Sequence, residues 1–219
     1  MSYYKRLIGK YDVISFDIFD TLIRRSVEKP SDIFYLTAKK LYDDAGKAEK
    51  FRIERVNAEL KARKGLKEKE ININDIYSFI DGTQFEIEKL KVKEIETEIE
   101  TCIPNQPILE LFEYAIKRKK KTIIISDMYL PQKVIVEMLN RCNICDYDRL
   151  YVSCECDCNK LSGELFDYVM QENNIDGRHM IHFGDSIKAD YIGAILGHTR
   201  GCIIHKKNVF KKIMDRVVE

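Results

Sequence analysis

The sequence predicts a doubly wound, parallel α/β sheet interrupted by one block of helices, on three observations. A short apolar run, Val13 to Phe16, stands directly before an acidic loop at Asp17 to Thr21, as a buried parallel strand does. From Pro104 onward, strand-like and helical stretches alternate, the pattern of a parallel sheet covered by helices. Between these regions, about Ser31 to Thr101, the chain carries helix signals and no clear strand.

Each element has a local cause. After the first strand and its acidic loop, Leu22 and Ile23 resume the apolar pattern. Pro30-Ser31-Asp32 opens the insert, because proline fits a first helical turn and Ser or Asp caps it. That helix is expected to run to Asp44 and end at Gly46. A second, highly charged helix covers roughly Ala48 to Lys64, with Gly65 placed to stop it, and a short one follows Asn74. Thr83-Gln84-Phe85-Glu86 has the form of a capping box and launches a long helix with Phe85, Val92 and Ile99 on one stripe. Then come helix Ile108 to Lys119, strand Thr122 to Ser126, helix Gln132 to Cys142 and strand Leu150 to Ser153. Helix Gly163 to Asn173, strand Met180 to Phe183, helix Ile187 to Leu196 and strand Cys202 to Ile204 complete the alternation. The tail, Lys206 to Glu219, spaces Phe210, Ile213, Met214 and Val217 as a terminal helix packed on the core would. Because the first strand precedes the insert, residues 1–25 and 104–219 form the core. Residues 26–103 form a helical cap at the carboxyl edge of the sheet, where such sheets bind ligands.

Totals narrow the function classes. The 219 residues suffice for one core plus a modest insert. With 37 basic and 36 acidic residues, no global field argues for a nucleic acid or an anionic membrane surface. Apolar runs such as VISF and TIIII fall well short of the roughly 20 residues that span a bilayer. Seven cysteines behind an N-terminus without a signal-peptide core point to a reducing, cytoplasmic location rather than a disulfide scaffold. The oligomeric state has no signal.

Chemistry-bearing residues collect at four strand ends: Asp17-Ile18-Phe19-Asp20-Thr21, Ser126-Asp127, Lys160 ahead of a helix, and Gly184-Asp185-Ser186 with Asp190 beyond. One such Asp is as often a turn former as a functional group, but a doubly wound sheet carries all four to one edge. In order and spacing they resemble the four motifs of the haloacid dehalogenase-like superfamily, and the helical insert between the first two resembles that superfamily's cap of the first type. The resemblance implies Asp17 as nucleophile, Thr21 as the first-motif threonine and Ser126 as the second-motif hydroxyl. It implies Lys160 as the third-motif lysine, Asp185 as a metal ligand and Asp190 as the second acidic position of the fourth motif. Asp17, the main-chain carbonyl of Phe19 and Asp185 would then hold magnesium, a hard cation suited to oxygen ligands. Thr21, Ser126, Asp127 and Lys160 would meet the phosphoryl group of a small phosphorylated substrate, and Lys160 would also hold Asp17 ionised.

One position departs from the family pattern. Its phosphatases carry an Asp two residues after the nucleophile, which protonates the leaving oxygen and later activates water; here Phe19 stands there. Asp20 is the nearest possible acid or base, set against a structural loop role. Three readings follow: a magnesium-dependent phosphohydrolase or phosphotransferase working without the usual acid, a binding or regulatory domain that has lost turnover, or a dehalogenase. Dehalogenases of this superfamily also carry an aromatic residue at that place, although a metal-binding Asp185 is unnecessary for halide displacement. FDIFDT and SDMYLP together resemble a subgroup of hydrolases associated with bacterial surface-polysaccharide genes, implying sugar phosphates or nucleotide-linked sugars as candidates. Met128-Tyr129-Leu130-Pro131 follows Ser126-Asp127 at the pocket rim.

Other signals read as structural. Cys154, Cys156 and Cys158 alternate in an expected extended stretch and point to opposite sides, as free thiols rather than a zinc or copper(I) site. Cys142 and Cys145 fill core space, and His179 and His182 flank a buried strand on opposite faces. Lys117 to Lys121 suits a helix C-terminus.

Overall fold

The computed structural model describes residues 1–66 and 69–204; the tail helix expected from Lys206 lies outside them. Helix α1 (Ser2–Lys10), which the sequence reading leaves unassigned, leads into β1 (Val13–Phe16), and β2 (Ile23–Arg25) follows the acidic loop. The insert comprises α2 (Asp32–Tyr42), α3 (Ala45–Gly65), α4 (Ile73–Tyr77) and α5 (Ile87–Thr101), closed by β3 (Cys102–Pro104). Then come α6 (Gln106–Lys117), β4 (Lys121–Ser126), α7 (Gln132–Arg141), β5 (Arg149–Val152), α8 (Ser153–Cys156) and α9 (Glu164–Asn173). The chain finishes with β6 (Met180–Gly184), a π-helical turn at Ile187–Ile192, α10 (Gly193–Leu196) and β7 (Arg200–Ile203).

Five strands form the sheet in the order β5-β4-β1-β6-β7, and every pairing in it is parallel. The strand order reverses at β1, so the carboxyl ends of β1, β4 and β6 flank the crevice where doubly wound sheets place their ligands. Alternation along β1 divides the core. Ile14 and Phe16 join the α6 and α7 side with Leu111, Phe112 and Met138, while Val13 joins the α9 side with Leu165, Phe166 and Val169. Each such fully buried aliphatic or aromatic side chain stabilises the fold by about 1.5–3 kcal/mol.

The insert differs from expectation in informative ways. Asp43, in a left-handed conformation (φ 50°), ends α2 rather than Gly46, and Asp44 caps α3 by accepting the Lys47 N–H. Gly46 therefore lies inside α3. The capping box belongs to α4, where Asn72 and Asp75 satisfy each other's main-chain N–H groups. Thr83 instead donates to Asp81, and α5 starts at Ile87. Val92 is 54% exposed, so the apolar stripe expected on α5 is not its buried face. That face carries Leu90, Glu94, Thr97 and Glu98, because two carboxylates meet two arginines. Arg55 donates to both Glu94 oxygens (2.9 and 2.8 Å) between the rings of Phe34 and Tyr129, and Arg25 donates to both Glu98 oxygens (2.7 and 3.1 Å). Hydrophobic periodicity cannot reveal a helix face built from buried ion pairs. The root of the insert is a two-stranded antiparallel ribbon of β2 and β3, also unforeseen.

Among the described residues no helix is long and apolar enough to cross a membrane.

Candidate active site

Asp17 follows β1 and its main-chain N–H donates to the Phe183 carbonyl (2.9 Å), so the strand register itself fixes where its side chain starts. Lys160 enters from the loop before α9, and its fully enclosed ammonium donates to Asp17 Oδ1 and Asp190 Oδ1, both at 2.6 Å. Asp190 arrives there because the wide π-helical turn brings its carboxylate back onto the turn's own start, where Oδ2 accepts the Ser186 N–H (2.8 Å). Two glycines make room. A Cβ on Gly184 would lie 2.2 Å from Asp190 Cγ, and one on Gly193 would lie 1.9 Å from the Lys160 carbonyl.

Ligand oxygens of Asp17, Asp185 and Asp190 lie within 4.8 Å of one another. Hard, anionic oxygen donors at this spacing are the donor set of a small divalent cation, so the residues fit magnesium. Burial pushes the Asp17 carboxyl up to about 7, with Asp190 and Asp185 adding to the rise and Lys160 opposing it. Burial also disfavours the charged form of Asp190, but Lys160 and His182 together outweigh it and hold this carboxyl below its ordinary range. For Lys160 the burial penalty is overcome by Asp17, Asp190 and Asp127, which raise it.

The remaining expected residues fall at the same edge with distinct settings. Ser126 Oγ and Thr21 Oγ1 are buried hydroxyls without a hydrogen-bond partner among the described residues, as is Thr37 Oγ1 within α2. An orphaned buried group costs about 1–3 kcal/mol unless something receives it. Asp127 accepts the Lys160 main-chain N–H (3.0 Å), bracing that loop. Asp20 is exposed with φ 59°, a left-handed conformation that Asp tolerates in turns. Phe19 is half-buried, and the Arg25 guanidinium sits 4.2 Å from its ring centroid.

The insert reaches this edge. Ile73 N–H donates to the Tyr129 carbonyl (2.9 Å), Glu70 N–H to Asp157 Oδ1 (2.8 Å), and Asn159 Nδ2 to Glu70 Oε1 (2.9 Å). Tyr129 is buried and its hydroxyl approaches Glu98 Oε1 (3.4 Å), so the SDMYLP tyrosine is a core-to-insert contact. A cleft of about 300 Å³ beside Arg25 and Tyr129 is lined further by Phe34, Val56, Leu60 and Glu98.

Two readings from the sequence change. Residues Ser153–Cys156 are a short helix rather than an extended stretch, and Asp157 turns left-handed after it. Cys154, Cys156 and Cys158 form no disulfide, and burial pushes the thiols of Cys154 and Cys158 up to about 12, which leaves them poor nucleophiles. His179 is exposed and pairs with Asp12, but His182 is fully buried with Nε2 3.2 Å from Asp190 Oδ1. The available signal was a polar ring inside the otherwise apolar run Met180 to Phe183.

No curated protein sequence matches the chain. Among solved structures, the HAD-hydrolase YfnB of Bacillus subtilis, determined bound to magnesium, superposes with a TM-score of 0.63 at 15% identity, covering 94% of this chain and 99% of that one. L-2-haloacid dehalogenase of Xanthobacter autotrophicus gives 0.63 at 11% identity, with 93% and 82% covered. A protein of Thermotoga maritima described as a β-phosphoglucomutase gives 0.61 at 13% identity, with 91% and 90% covered. Likenesses at such identity establish the fold. The model of the haloacid dehalogenase-like hydrolases matches residues 11–197, nearly the whole chain, and this protein belongs to that family.

Proposed function

We propose that this hydrolase removes the phosphoryl group from a small phosphorylated metabolite, such as a sugar phosphate, through a phosphoryl-aspartate on Asp17. The observation that supports this reading is the meeting of Asp17, Asp185 and Asp190 oxygens within 4.8 Å, a donor set able to hold a cation, for which halide displacement has no use. A magnesium ion held by Asp17, the Phe19 main-chain carbonyl and Asp185 would offset the repulsion between an anionic nucleophile and an anionic phosphoryl group.

The protein's own groups supply the rest. An Asp17 oxygen forms a bond to phosphorus as the bond from phosphorus to the leaving oxygen breaks, and the leaving oxygen takes its proton from solvent because Phe19 has none to give. Lys160, 2.6 Å from Asp17, offers a fixed positive charge to the phosphoryl oxygens. Ser126 and Thr21 offer hydroxyls with no competing partner among the described residues. Asp127 serves by holding the Lys160 main chain in place. Water then attacks the phosphorus of the phosphoryl-aspartate, releasing phosphate and restoring the carboxylate. Without a base at position 19 this second step is slow. The helical insert acts as a cap, and the cleft by Arg25 and Tyr129 receives the organic part of the substrate.

The test is magnesium-dependent hydrolysis of acetyl phosphate, an aryl phosphate and a panel of sugar phosphates, with Asp17→Asn as control. Turnover that requires both magnesium and Asp17 supports the reading. Phe19 favours dehalogenation as the second reading, so 2-haloacids belong in the same panel. Asp17-dependent halide release indifferent to magnesium would replace phosphoryl transfer with it.

A further inference from the structure

Beyond the motif residues, one buried group touches the site's charge network and has no part in the mechanism above. His182 lies in the middle of β6, and its register partner on β1 is Ser15. Both side chains are fully buried, and the imidazole edge meets the Phe166 ring with centroids 4.9 Å apart at 71°, which sets the ring plane. Nδ1 lies 2.9 Å from Ser15 Oγ and Nε2 lies 3.2 Å from Asp190 Oδ1.

The proton positions follow from the partners. Asp190 Oδ1 accepts from the Lys160 ammonium and Oδ2 from the Ser186 N–H, so the oxygen facing Nε2 is an acceptor and Nε2 carries the hydrogen. A neutral ring then leaves Nδ1 as an acceptor, and Ser15 Oγ–H donates to it at 2.9 Å in preference to the Ile181 carbonyl at 3.4 Å. Asp190 is thereby held at three points: Oδ1 by Lys160 and His182, Oδ2 by the Ser186 N–H. A carboxylate so held cannot swing, and with the His182 ring neutral its ion-pair partner among the described residues is the ammonium that also meets Asp17. An aliphatic residue would fill this strand position without burying a polar ring, which is costly unless the ring is hydrogen-bonded.

We infer that His182 is a positioning residue: braced by Ser15, it fixes the Asp190 carboxylate and, through it, the Lys160 ammonium beside Asp17. The inference rests on Lys160 and Asp17 acting together as proposed above.

Two measurements test it, and the first needs no turnover. Nitrogen-15 NMR of the His182 ring at neutral pH is expected to show the proton on Nε2; a bare Nε2 overturns the assignment. The second is the rate of magnesium-dependent acetyl phosphate hydrolysis. His182→Leu is expected to lower kcat about 10–100-fold, as the loss of an outer partner of a charged site does. His182→Gln, whose amide can still donate to Asp190, should recover most of that loss, and Ser15→Ala should lose less than His182→Leu. In an Asp190→Asn background, His182→Leu should cost almost nothing more. Equal losses in the Leu and Gln variants, or a full loss in the Asp190→Asn background, would reduce His182 to packing. A wild-type protein without Asp17-dependent turnover would sink the phosphohydrolase reading, and the ring-nitrogen spectrum would still decide whether His182 donates to Asp190.

Discussion

Replacing Phe19 with Asp restores the acid of the family's phosphatases in name, but the structure sets a limit on what it gains. A positioned general acid contributes about 10²–10⁴-fold. The new carboxylate would arise under the Arg25 guanidinium, now 4.2 Å from the Phe19 ring centroid. An adjacent arginine lowers a carboxyl pKa by about 1–3 units, cutting the protonated fraction at neutral pH about 10–10³-fold. At mid-range these factors are about 10³ and about 10², so Phe19→Asp alone should raise turnover of a poor leaving group only about tenfold. Arg25 cannot be removed by itself, because Glu98 would be left buried without its bidentate partner. The triple variant Phe19→Asp, Arg25→Met, Glu98→Gln removes guanidinium and carboxylate together and should release the full factor. The assay is steady-state hydrolysis of an alkyl phosphate beside acetyl phosphate, whose good leaving group needs no acid and should respond little. A full gain from Phe19→Asp alone would refute the claim that Arg25 governs this position. No gain from the triple variant would refute the claim that the missing acid limits the rate.

Other perturbations test other links. Because burial raises Asp17 to about 7 in the folded, metal-free protein, the folded state binds a proton there that the unfolded state releases near 4, and stability falls as pH rises between those values. Asp17→Asn should lack this slope, gaining on the wild type from pH 5 to 8 by on the order of a few kcal/mol in urea titrations with chelator; parallel curves would contradict it. Arg55→Met should cost about 3–5 kcal/mol by leaving Glu94 buried and unpaired, and adding Glu94→Gln should return much of that loss in the same assay. Glu70→Ala removes the Asn159 contact and should speed amide exchange at Ile73, which reports the junction of insert and core. One lost hydrogen bond at about 0.5–1.5 kcal/mol corresponds to roughly 2–10-fold faster exchange, and unchanged exchange would show that Glu70 does not hold the insert down.

What the sequence reveals follows its physics. The parallel sheet is legible because strands buried on both faces, such as Thr122 to Ser126, read as unbroken apolar runs, and because Asp17, Ser126 and Asp185 each stand at or just beyond such a run. The alternation after Pro104 places the helices within a few residues. The insert is less legible. Its α5 buries Glu94 and Glu98 against Arg55 and Arg25, so the charged residues that mark a solvated face are here the packed ones, and Val92 lies outside. Asp43 ends a helix through a left-handed turn that favours glycine but does not require it. In the site, individual motif positions are readable, whereas relations between them are not. The Lys160 bridge between Asp17 and Asp190, the Arg25 cover on Phe19 and the His182 brace each join residues far apart in sequence.

The most direct test of the proposed chemistry is the fate of Asp17 during turnover. Acetyl phosphate and magnesium are mixed with the protein, the reaction is quenched in acid within the first turnovers, and peptides are weighed. Slow dephosphorylation, which Phe19 imposes, should let one phosphoryl group accumulate on the peptide containing Asp17, with none in Asp17→Asn or in chelator. Phosphate release that proceeds equally well in Asp17→Asn, with no modified Asp17 peptide at any time, would contradict the mechanism.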